Sequence, residues 1–177
     1  DNNTNKLRRL QALLGQRVAT SIIQPKVLEK ALKTADVVVG AISSSVGRAP
    51  IVVTEDMVSK MKDFSVIVDV SIDKGGCIET SEVTSHDAPI FSKYGVIHYC
   101  VPNIASRVAR TASYALSNVI TPTILDTGEY GGLETMIKSY QGIQNGVYIY
   151  KGVLTNKYLA ETFGLPYKDI NLLLMAM

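Results

Sequence analysis

The sequence predicts an α/β protein with a Rossmann-like, doubly wound parallel sheet and a helical C-terminal segment. Three observations point to this class: short apolar runs, helical patterns of about ten residues between them, and little alternation of apolar and polar residues inside the runs. Continuous apolar runs are typical of parallel strands that are covered on both faces. Strands that alternate with helices form βαβ units, so the first part of the chain is predicted as part of such a sheet.

Three helices are predicted in this first part. Thr4 or Asn5 is expected to cap the first helix, and Gly15 is expected to end it. Pro25 is expected to begin the second helix, because proline is favoured at the first helical position. Thr54, followed by two acidic residues, is expected to cap the third.

Four strands are predicted, and their ends locate the candidate ligand site. They cover residues 18–23, 35–42, 65–70 and 96–101. Ligands of doubly wound sheets bind beyond the carboxyl ends of the strands. The segments to consider are therefore residues 43–49, 71–78 and 102–106.

The rest of the chain lacks the alternation of strands and helices. Residues 1–106 are therefore interpreted as part of a Rossmann domain, and residues 107–177 as a separate packing unit. The elements predicted in the second unit are helices over 108–120 and 133–140, a hairpin that turns near Lys151-Gly152, and a last helix capped by Thr155. Pro122 is expected to lie beyond the end of the long helix.

Composition argues against several kinds of partner. The 18 basic and 16 acidic residues leave a net charge of +2, so no nucleic acid is expected. The longest apolar run is far shorter than the roughly 20 residues of a membrane span, so no membrane is expected. The two histidines and two cysteines do not cluster, so no metal site is expected. Cys77 and Cys100 are predicted to be buried, reduced thiols rather than a disulfide.

The polar residues at the strand ends are the candidates for chemistry. Asp73 follows a strand and precedes two glycines, which let the backbone approach a ligand closely. A carboxylate at that place can hold a ligand hydroxyl or relay a proton. The alternative is an ordinary turn, for which this residue pattern is equally suitable. Asp69 lies inside an apolar run and is expected to bond to the amides of a nearby loop. Asn103 either binds a ligand's carboxamide or closes a loop.

Several motifs, in one order along the chain, resemble those of alanine dehydrogenase. They are residues 35–41 (ADVVVGA), 48–50 (RAP), 61–62 (MK), 65–70 (SVIVDV), 72–80 (IDKGGCIET), 98–103 (HYCVPN), 110–118 (RTASYALSN) and 154–156 (LTN). The resemblance implies that the chain is the C-terminal half of such an enzyme and lacks the N-terminal βα unit of the sheet. Truncation would then explain why no GxGxxG fingerprint is found.

The resemblance also implies a function. The family's reaction is the reversible oxidative deamination of L-alanine to pyruvate and ammonium, with NAD as cofactor, by a cytoplasmic homohexamer. Asp73 matches the acid/base residue near the substrate. The residues implied to contact NAD are Asp1 and Lys6 near the adenine ribose, Ala41, Ile42 and Ser43 on the adenosine side, Ile72 and Asp73 in the crevice, and Val101, Asn103 and Ile104 beside the nicotinamide. An acid that binds the ribose repels a 2′-phosphate, so Asp1 predicts a preference for NAD over NADP.

The chain departs from the family pattern at Lys74, where glutamine is usual, and in the loop of residues 44–47. Three alternatives stay open. The nucleotide-binding part of a transhydrogenase resembles the chain at 49–50 and 75–76 but generally lacks an acid at position 73. Saccharopine-type enzymes are a more distant alternative. A non-catalytic, oligomerising fragment is the third, and the chain alone is expected to be inactive.

Overall fold

A computed structural model describes residues 2–44 and 47–175 of the chain. The chain divides into two compact units, Asp1–Ile104 and Ala105–Met177. The first unit contains a four-stranded sheet in the order β1-β2-β4-β3, with strands β1 (Val37–Gly40), β2 (Val66–Asp69), β3 (Ile90–Lys93) and β4 (Val96–Tyr99). Strands β1, β2 and β4 are parallel, which confirms the predicted α/β class with its parallel strands.

Strand β3 was not predicted, and it runs antiparallel to β4 at the edge of the sheet. The two strands are joined by a two-residue turn in which Tyr94 and Gly95 both have positive φ, 56° and 72°. Such a turn matches the twist of the flanking strands, but asparagine or aspartate usually precedes its glycine. Because tyrosine stands at the first position of the turn, the sequence carries no recognisable signal for this hairpin.

Three helices accompany the sheet: α1 (Thr4–Leu14), α2 (Pro25–Leu32) and α3 (Glu55–Val58). The cap of α1 is Asn3, whose Oδ1 accepts a hydrogen bond from the Lys6 N–H, so the prediction of Thr4 or Asn5 was wrong by one or two residues. Gly15 ends α1 in the left-handed conformation, and Thr54 caps α3 through the Met57 N–H, both as predicted. Side-chain acceptors of this kind satisfy N–H groups that have no partner inside the helix.

The core lies on one face of the sheet. Leu32 from α2 and Val58 from α3 pack with Ile67 of β2 in a single buried cluster. On the opposite face, Val37 and Val39 are 59% and 61% exposed. The expectation that strands are covered on both faces is therefore not met within the described part of the first unit, although their composition is that of covered strands.

The run of residues 18–23, predicted as a strand, pairs with no described strand. The Gln11 side chain donates to the carbonyl of Val18 and to the hydroxyl of Thr20, and the Ile23 N–H donates to Asn2. Strand propensity mostly reflects packing against neighbouring strands. Because no described strand lies beside this segment, the side chains of Gln11 and Asn2 form hydrogen bonds with its polar groups instead.

The second unit is mainly helical, and its elements are α4 (Ala109–Glu129), α5 (Leu133–Ser139), α6 (Gln141–Asn145), β5 (Ile149–Tyr150), β6 (Val153–Leu154), α7 (Lys157–Phe163) and α8 (Ile170–Met175). The predicted hairpin turn is confirmed, since Lys151 and Gly152 both have positive φ. The cap of α7 is Asn156, not Thr155 as predicted, and Thr155 instead donates to the carbonyl of Val147.

Helix α4 continues through Pro122, although proline was expected to follow its end. Proline removes one backbone N–H from a helix, here the one that would bond to the Asn118 carbonyl four residues earlier. The hydroxyls of Thr123 and Thr127 donate to the carbonyls of Val119 and Thr123, each one turn earlier. Local bonds of this kind accompany the proline inside the helix. Over residues 2–44 and 47–175, no helix is both long enough and apolar enough to cross a membrane.

His98 is fully buried in β4, and its ring lies between the Thr80 hydroxyl and the Val96 carbonyl. Its Nδ1 lies 3.0 Å from the Val96 carbonyl oxygen, which can only accept, so Nδ1 carries the proton. Its Nε2 therefore accepts from the Thr80 hydroxyl at 2.8 Å. Burial lowers the pKa of the imidazole below its ordinary value of 6.5, and the hydrogen bond to Val96 only partly opposes this effect.

This burial predicts that the protein loses stability in mild acid. Below about pH 6.5 the unfolded chain takes up a proton that the folded chain resists, so the stabilisation present above that pH declines as the pH falls. We expect the thermal midpoint to decrease when the pH is lowered from about 7.5 to about 5.5. The decrease should be smaller in His98→Gln, which keeps an acceptor for the Thr80 hydroxyl. An equally steep decline in the variant would contradict the assignment.

Phe64 precedes β2 in an unfavourable conformation. Its φ is 64°, in the left-handed region, and its side chain is 83% exposed. A side chain in that region costs roughly 1–2 kcal/mol, and this ring recovers little by burial. Phe64→Gly is therefore expected to raise the stability by about 0.5–1 kcal/mol, measured by urea unfolding. Phe64→Ala keeps the strained Cβ, and an equal gain in that variant would show that relief of strain is not the cause.

Candidate functional site

The carboxyl ends of β1, β2 and β4 lie side by side, because these strands are neighbours and run parallel. Three segments follow them at this edge: residues 41–44, the 3₁₀ turn Val70–Lys74 and residues 100–104. This is the edge at which open α/β sheets bind their ligands. The three segments form the candidate site, and all of them belong to the first unit.

A cavity of about 470 Å³ lies beside the end of β1. Four residues predicted to contact the adenosine part of a cofactor line it: Lys6, Ala41, Ile42 and Ser43. The other lining residues are mostly apolar, namely Ile23, Leu28, Val38, Val39, Gly40, Val52, Val53, Cys77 and Ile78. A mostly apolar cavity with a few polar groups at its rim suits a ligand that has a flat base and a sugar.

Asp69 organises the segment after β2, as its position in an apolar strand predicted. The side chain is only 2% exposed. Its Oδ1 accepts from the Ser71 N–H at 2.9 Å, and its Oδ2 accepts from the Cys77 N–H at 3.0 Å and from the Ser81 hydroxyl at 2.7 Å. A buried carboxylate needs such donors to offset its lost hydration. The three bonds fix the loop that carries Asp73.

The two glycines after Asp73 both have positive φ, 86° and 77°, which favours glycine. The sequence suggested that they leave room for a ligand. Protein atoms occupy that space instead: a Cβ at Gly75 would lie 2.5 Å from Nε of Arg48, and one at Gly76 would lie 2.9 Å from Oδ2 of Asp69. The glycines therefore allow this loop to fold around Arg48 and Asp69.

Asp73 connects the ends of two strands. It lies in the turn after β2, and its Oδ1 accepts a hydrogen bond from the Asn103 N–H, beyond β4, at 2.7 Å. Among the described residues, its Oδ2 makes no hydrogen bond. Asn103 has a φ of 52°, in the left-handed region that asparagine adopts more readily than most side chains. The structure thus brings together two predicted site residues that are 30 positions apart in sequence.

The residues predicted for the crevice and for the nicotinamide side differ in exposure. Ile72 and Val101 are 5% and 4% exposed, so their side chains support the crevice from inside. Ile104 is 36% exposed and Asn103 is also exposed. Of these four residues, only Asn103 and Ile104 have exposed side chains at this edge of the sheet. Asp1 lies outside the described residues, as does part of the loop of residues 44–47.

Reading the sequence missed two residues of the site, Ser71 and Lys74. The Ser71 hydroxyl bonds to both the N–H and the carbonyl of Ile42. The Lys74 ammonium donates to the Ser43 hydroxyl at 3.2 Å and to the Ser44 carbonyl at 3.0 Å. Both residues connect the segments after β1 and β2. The departure from the family pattern at Lys74 was the one available signal for it.

Both thiols are buried and free, as predicted. Burial raises the pKa of Cys77 and of Cys100, so both stay protonated near neutral pH and neither is suited to act as a nucleophile. Among the described residues, no group of three or more His, Cys, Asp or Glu side chains is placed to hold a metal ion. Among the predicted site residues, Asp73 remains the candidate for acid–base chemistry.

Comparison with known proteins places this geometry in a family. Residues 1–157 match the family described as "Alanine dehydrogenase/PNT, C-terminal domain". Over 171 residues the chain is 42% identical to Alanine dehydrogenase 2 of Staphylococcus aureus strain USA300 and, equally, to that of strain NCTC 8325. The alignment covers 96% of the chain and 46% of each relative. The chain thus spans about half the length of the curated relatives it matches.

Solved structures agree with the sequence comparison. An L-alanine dehydrogenase structure superposes with a TM-score of 0.80 at 34% identity, over 93% of this chain and 45% of that one. A transhydrogenase from Sinorhizobium meliloti superposes less well, with a TM-score of 0.50 at 28% identity, over 58% of this chain and 29% of that one. The motifs, the sheet and its carboxyl edge, the sequence relatives and the structural match agree, and the chain belongs to the alanine dehydrogenase/PNT family, of which it carries the C-terminal domain.

Proposed function

We propose that the protein containing this chain is an NAD-dependent alanine dehydrogenase. Its reaction converts L-alanine, water and NAD to pyruvate, ammonium and NADH, reversibly. The observation that carries the proposal is the position of Asp73: its carboxylate lies at the carboxyl edge of the sheet and bonds to the Asn103 N–H, with one oxygen left unbonded among the described residues. The similarity to alanine dehydrogenases over 96% of the chain supports it.

The residues of the site fit a dinucleotide. The cavity beside β1 offers apolar walls for an adenine base and Lys6 and Ser43 as polar contacts for its ribose. The segment of Val101, Asn103 and Ile104 borders the crevice on the side of β4, where a nicotinamide would lie next to Asp73. When bound, NAD supplies a hydride acceptor for the α-carbon of the amino acid.

Asp73 has the role of acid and base in this proposal. Loss of hydride from L-alanine with its amino group neutral leaves an iminium, and the oxygen of a water molecule bonds to the iminium carbon. One proton of that water passes to the Asp73 carboxylate and from there to the amino group. When the C–N bond breaks, the departing ammonia takes the remaining hydroxyl proton, which leaves pyruvate and ammonium. One group can serve both transfers because Asp73 is a carboxylate again at the end.

Cofactor choice is proposed to depend on Asp1, which lies outside the described residues. A carboxylate at the ribose accepts hydrogen bonds from its hydroxyls and repels a 2′-phosphate. The proposal therefore includes a preference for NAD over NADP. The proposal also includes a second unit that packs on the N-terminal part of the complete enzyme, and a homohexameric assembly. It includes a cytoplasmic location, because two buried, free thiols are compatible with a reducing compartment.

The experiment that tests the function follows NADH oxidation by the complete protein with ammonium and pyruvate, beside 2-oxobutyrate and glyoxylate. Activity with pyruvate is expected in the complete protein and none in this chain alone, because the chain spans 46% of its relatives. NADH binding without activity on any oxo acid would favour a transhydrogenase-like role, for which the structural match over 58% of the chain is the supporting observation. If no NADH binding is found, the remaining interpretation is that the chain has a non-catalytic role in oligomerisation.

A further inference from the structure

Ser71 makes an unusual pair of hydrogen bonds at the edge of the sheet. Its Oγ accepts from the Ile42 N–H at 2.7 Å and donates to the Ile42 carbonyl at 2.9 Å. Its own N–H donates to the buried carboxylate of Asp69 at 2.9 Å. Ser71 is only 6% exposed, so water does not compete freely for these bonds.

These bonds extend the pairing of β1 and β2 beyond its end. The regular pairing stops where Gly40 faces Asp69, two residues before Ile42. From there the chain diverges into two segments: one lines the cavity, and the other carries Asp73. The Ser71 hydroxyl holds both polar groups of the Ile42 peptide unit and so fixes one segment against the other.

We infer that Ser71 is a positioning residue that sets the cavity beside β1 relative to Asp73. Ile42 and Ser43 line that cavity, and Asp73 follows Ser71 by two residues. A cofactor that spans both sides needs them at a fixed separation, because small displacements of binding groups reduce affinity and rate. This inference rests on the proposed function, since it takes the cavity and Asp73 as parts of one cofactor site.

Lys74 also joins these two segments, but its hydrogen bonds are expected to hold them together less firmly than those of Ser71. The Lys74 side chain reaches Ser43 and Ser44 from an exposed position. Exposed bonds to long, mobile side chains contribute little, because water replaces them readily. The Ser71 hydroxyl is buried, and the Ser71 backbone is fixed by its N–H bond to Asp69, so water does not readily replace the bonds of the hydroxyl.

The test compares Ser71→Ala with Ser65→Ala in the complete protein. Ser65 directly precedes β2, is 3% exposed, and its hydroxyl donates to the Lys62 carbonyl at 2.7 Å, so it lies at the opposite end of the strand from Ser71. Each variant loses one buried hydroxyl, so both thermal midpoints are expected to fall, that of Ser71→Ala by more because its hydroxyl makes two hydrogen bonds and that of Ser65 makes one. Only Ser71→Ala is expected to weaken NADH binding and raise KM for NAD, by about fivefold to tenfold, with a smaller change in kcat.

Ser71→Thr keeps the hydroxyl and is expected to restore part of the NADH affinity. Equal weakening in Ser65→Ala, or unchanged NADH affinity in Ser71→Ala, would overturn the positioning role. NADH binding is measured by fluorescence at a temperature where every variant is folded. The activity of the unmodified protein with pyruvate, measured in parallel, tests the proposed function separately. If only the positioning role is wrong, the unmodified protein is active with pyruvate and the Ser71→Ala variant binds NADH with unchanged affinity.

Discussion

Replacing Asp73 by asparagine in the complete protein is expected to abolish oxidative deamination and to leave most NADH binding intact. Asparagine keeps an oxygen that can accept the Asn103 N–H, so the segment beyond β4 stays in place. It cannot take a proton from water near neutral pH, and general acid–base catalysis typically contributes roughly 100-fold to 10,000-fold. The expected result is a loss of kcat in that range with a dissociation constant for NADH within about threefold of the parent.

Two further variants sharpen this measurement. Asp73→Ala removes the acceptor for Asn103 as well, so NADH binding is expected to weaken along with the loss of activity. Asp36→Asn is the matched control, because Asp36 is exposed and pairs with Lys62 near the opposite end of the sheet. It should change neither quantity. If Asp73→Asn lost activity and NADH binding to the same extent, Asp73 would not be the acid/base group.

The sequence allowed the parts of the fold that depend on local patterns to be predicted. Apolar runs located β1, β2 and β4, although each strand is shorter than predicted. Glycines located the end of α1 and the Lys151-Gly152 turn, and the Thr54 cap located α3. The rule that parallel strands end at one edge brought Asp73 and Asn103 into the same candidate site. The contact between them confirms that placement, while their roles stay predictions.

What the sequence could not reveal depends on partners distant along the chain. Residues 18–23 have the composition of a strand, but no described strand lies beside them. Ser71 looks like any serine after a strand, and only the folded arrangement places its hydroxyl on Ile42. The same holds for the space over Gly75, which the pattern suggested for a ligand and which Arg48 occupies. Bonds between side chains and distant backbone groups leave no periodic signal.

Asp69 is the residue whose replacement is expected to cost the most stability. Four donors converge on its buried carboxylate: two backbone N–H groups, the Ser81 hydroxyl and, more weakly at 3.6 Å, the Cys77 thiol. In Asp69→Asn one oxygen becomes an NH₂ group that faces donors rather than acceptors, so at least one buried N–H or O–H loses its partner. Hydrogen bonds to a charged group contribute about 1.5–3 kcal/mol each, so a loss of about 3 kcal/mol or more is expected in urea unfolding.

The matched control for this loss is Asp73→Asn, four positions along the same segment. Asp73 is exposed and accepts one hydrogen bond, which asparagine preserves, so its free energy of unfolding should stay within about 0.5 kcal/mol of the parent. The two variants should therefore separate: one loses stability, and the other loses activity with its stability intact. Because the Asp69 carboxylate also holds Ser71, Asp69→Asn should raise KM for NAD in the protein that stays folded. A stable Asp69→Asn protein with normal KM would show that the loop after β2 is held by its backbone alone.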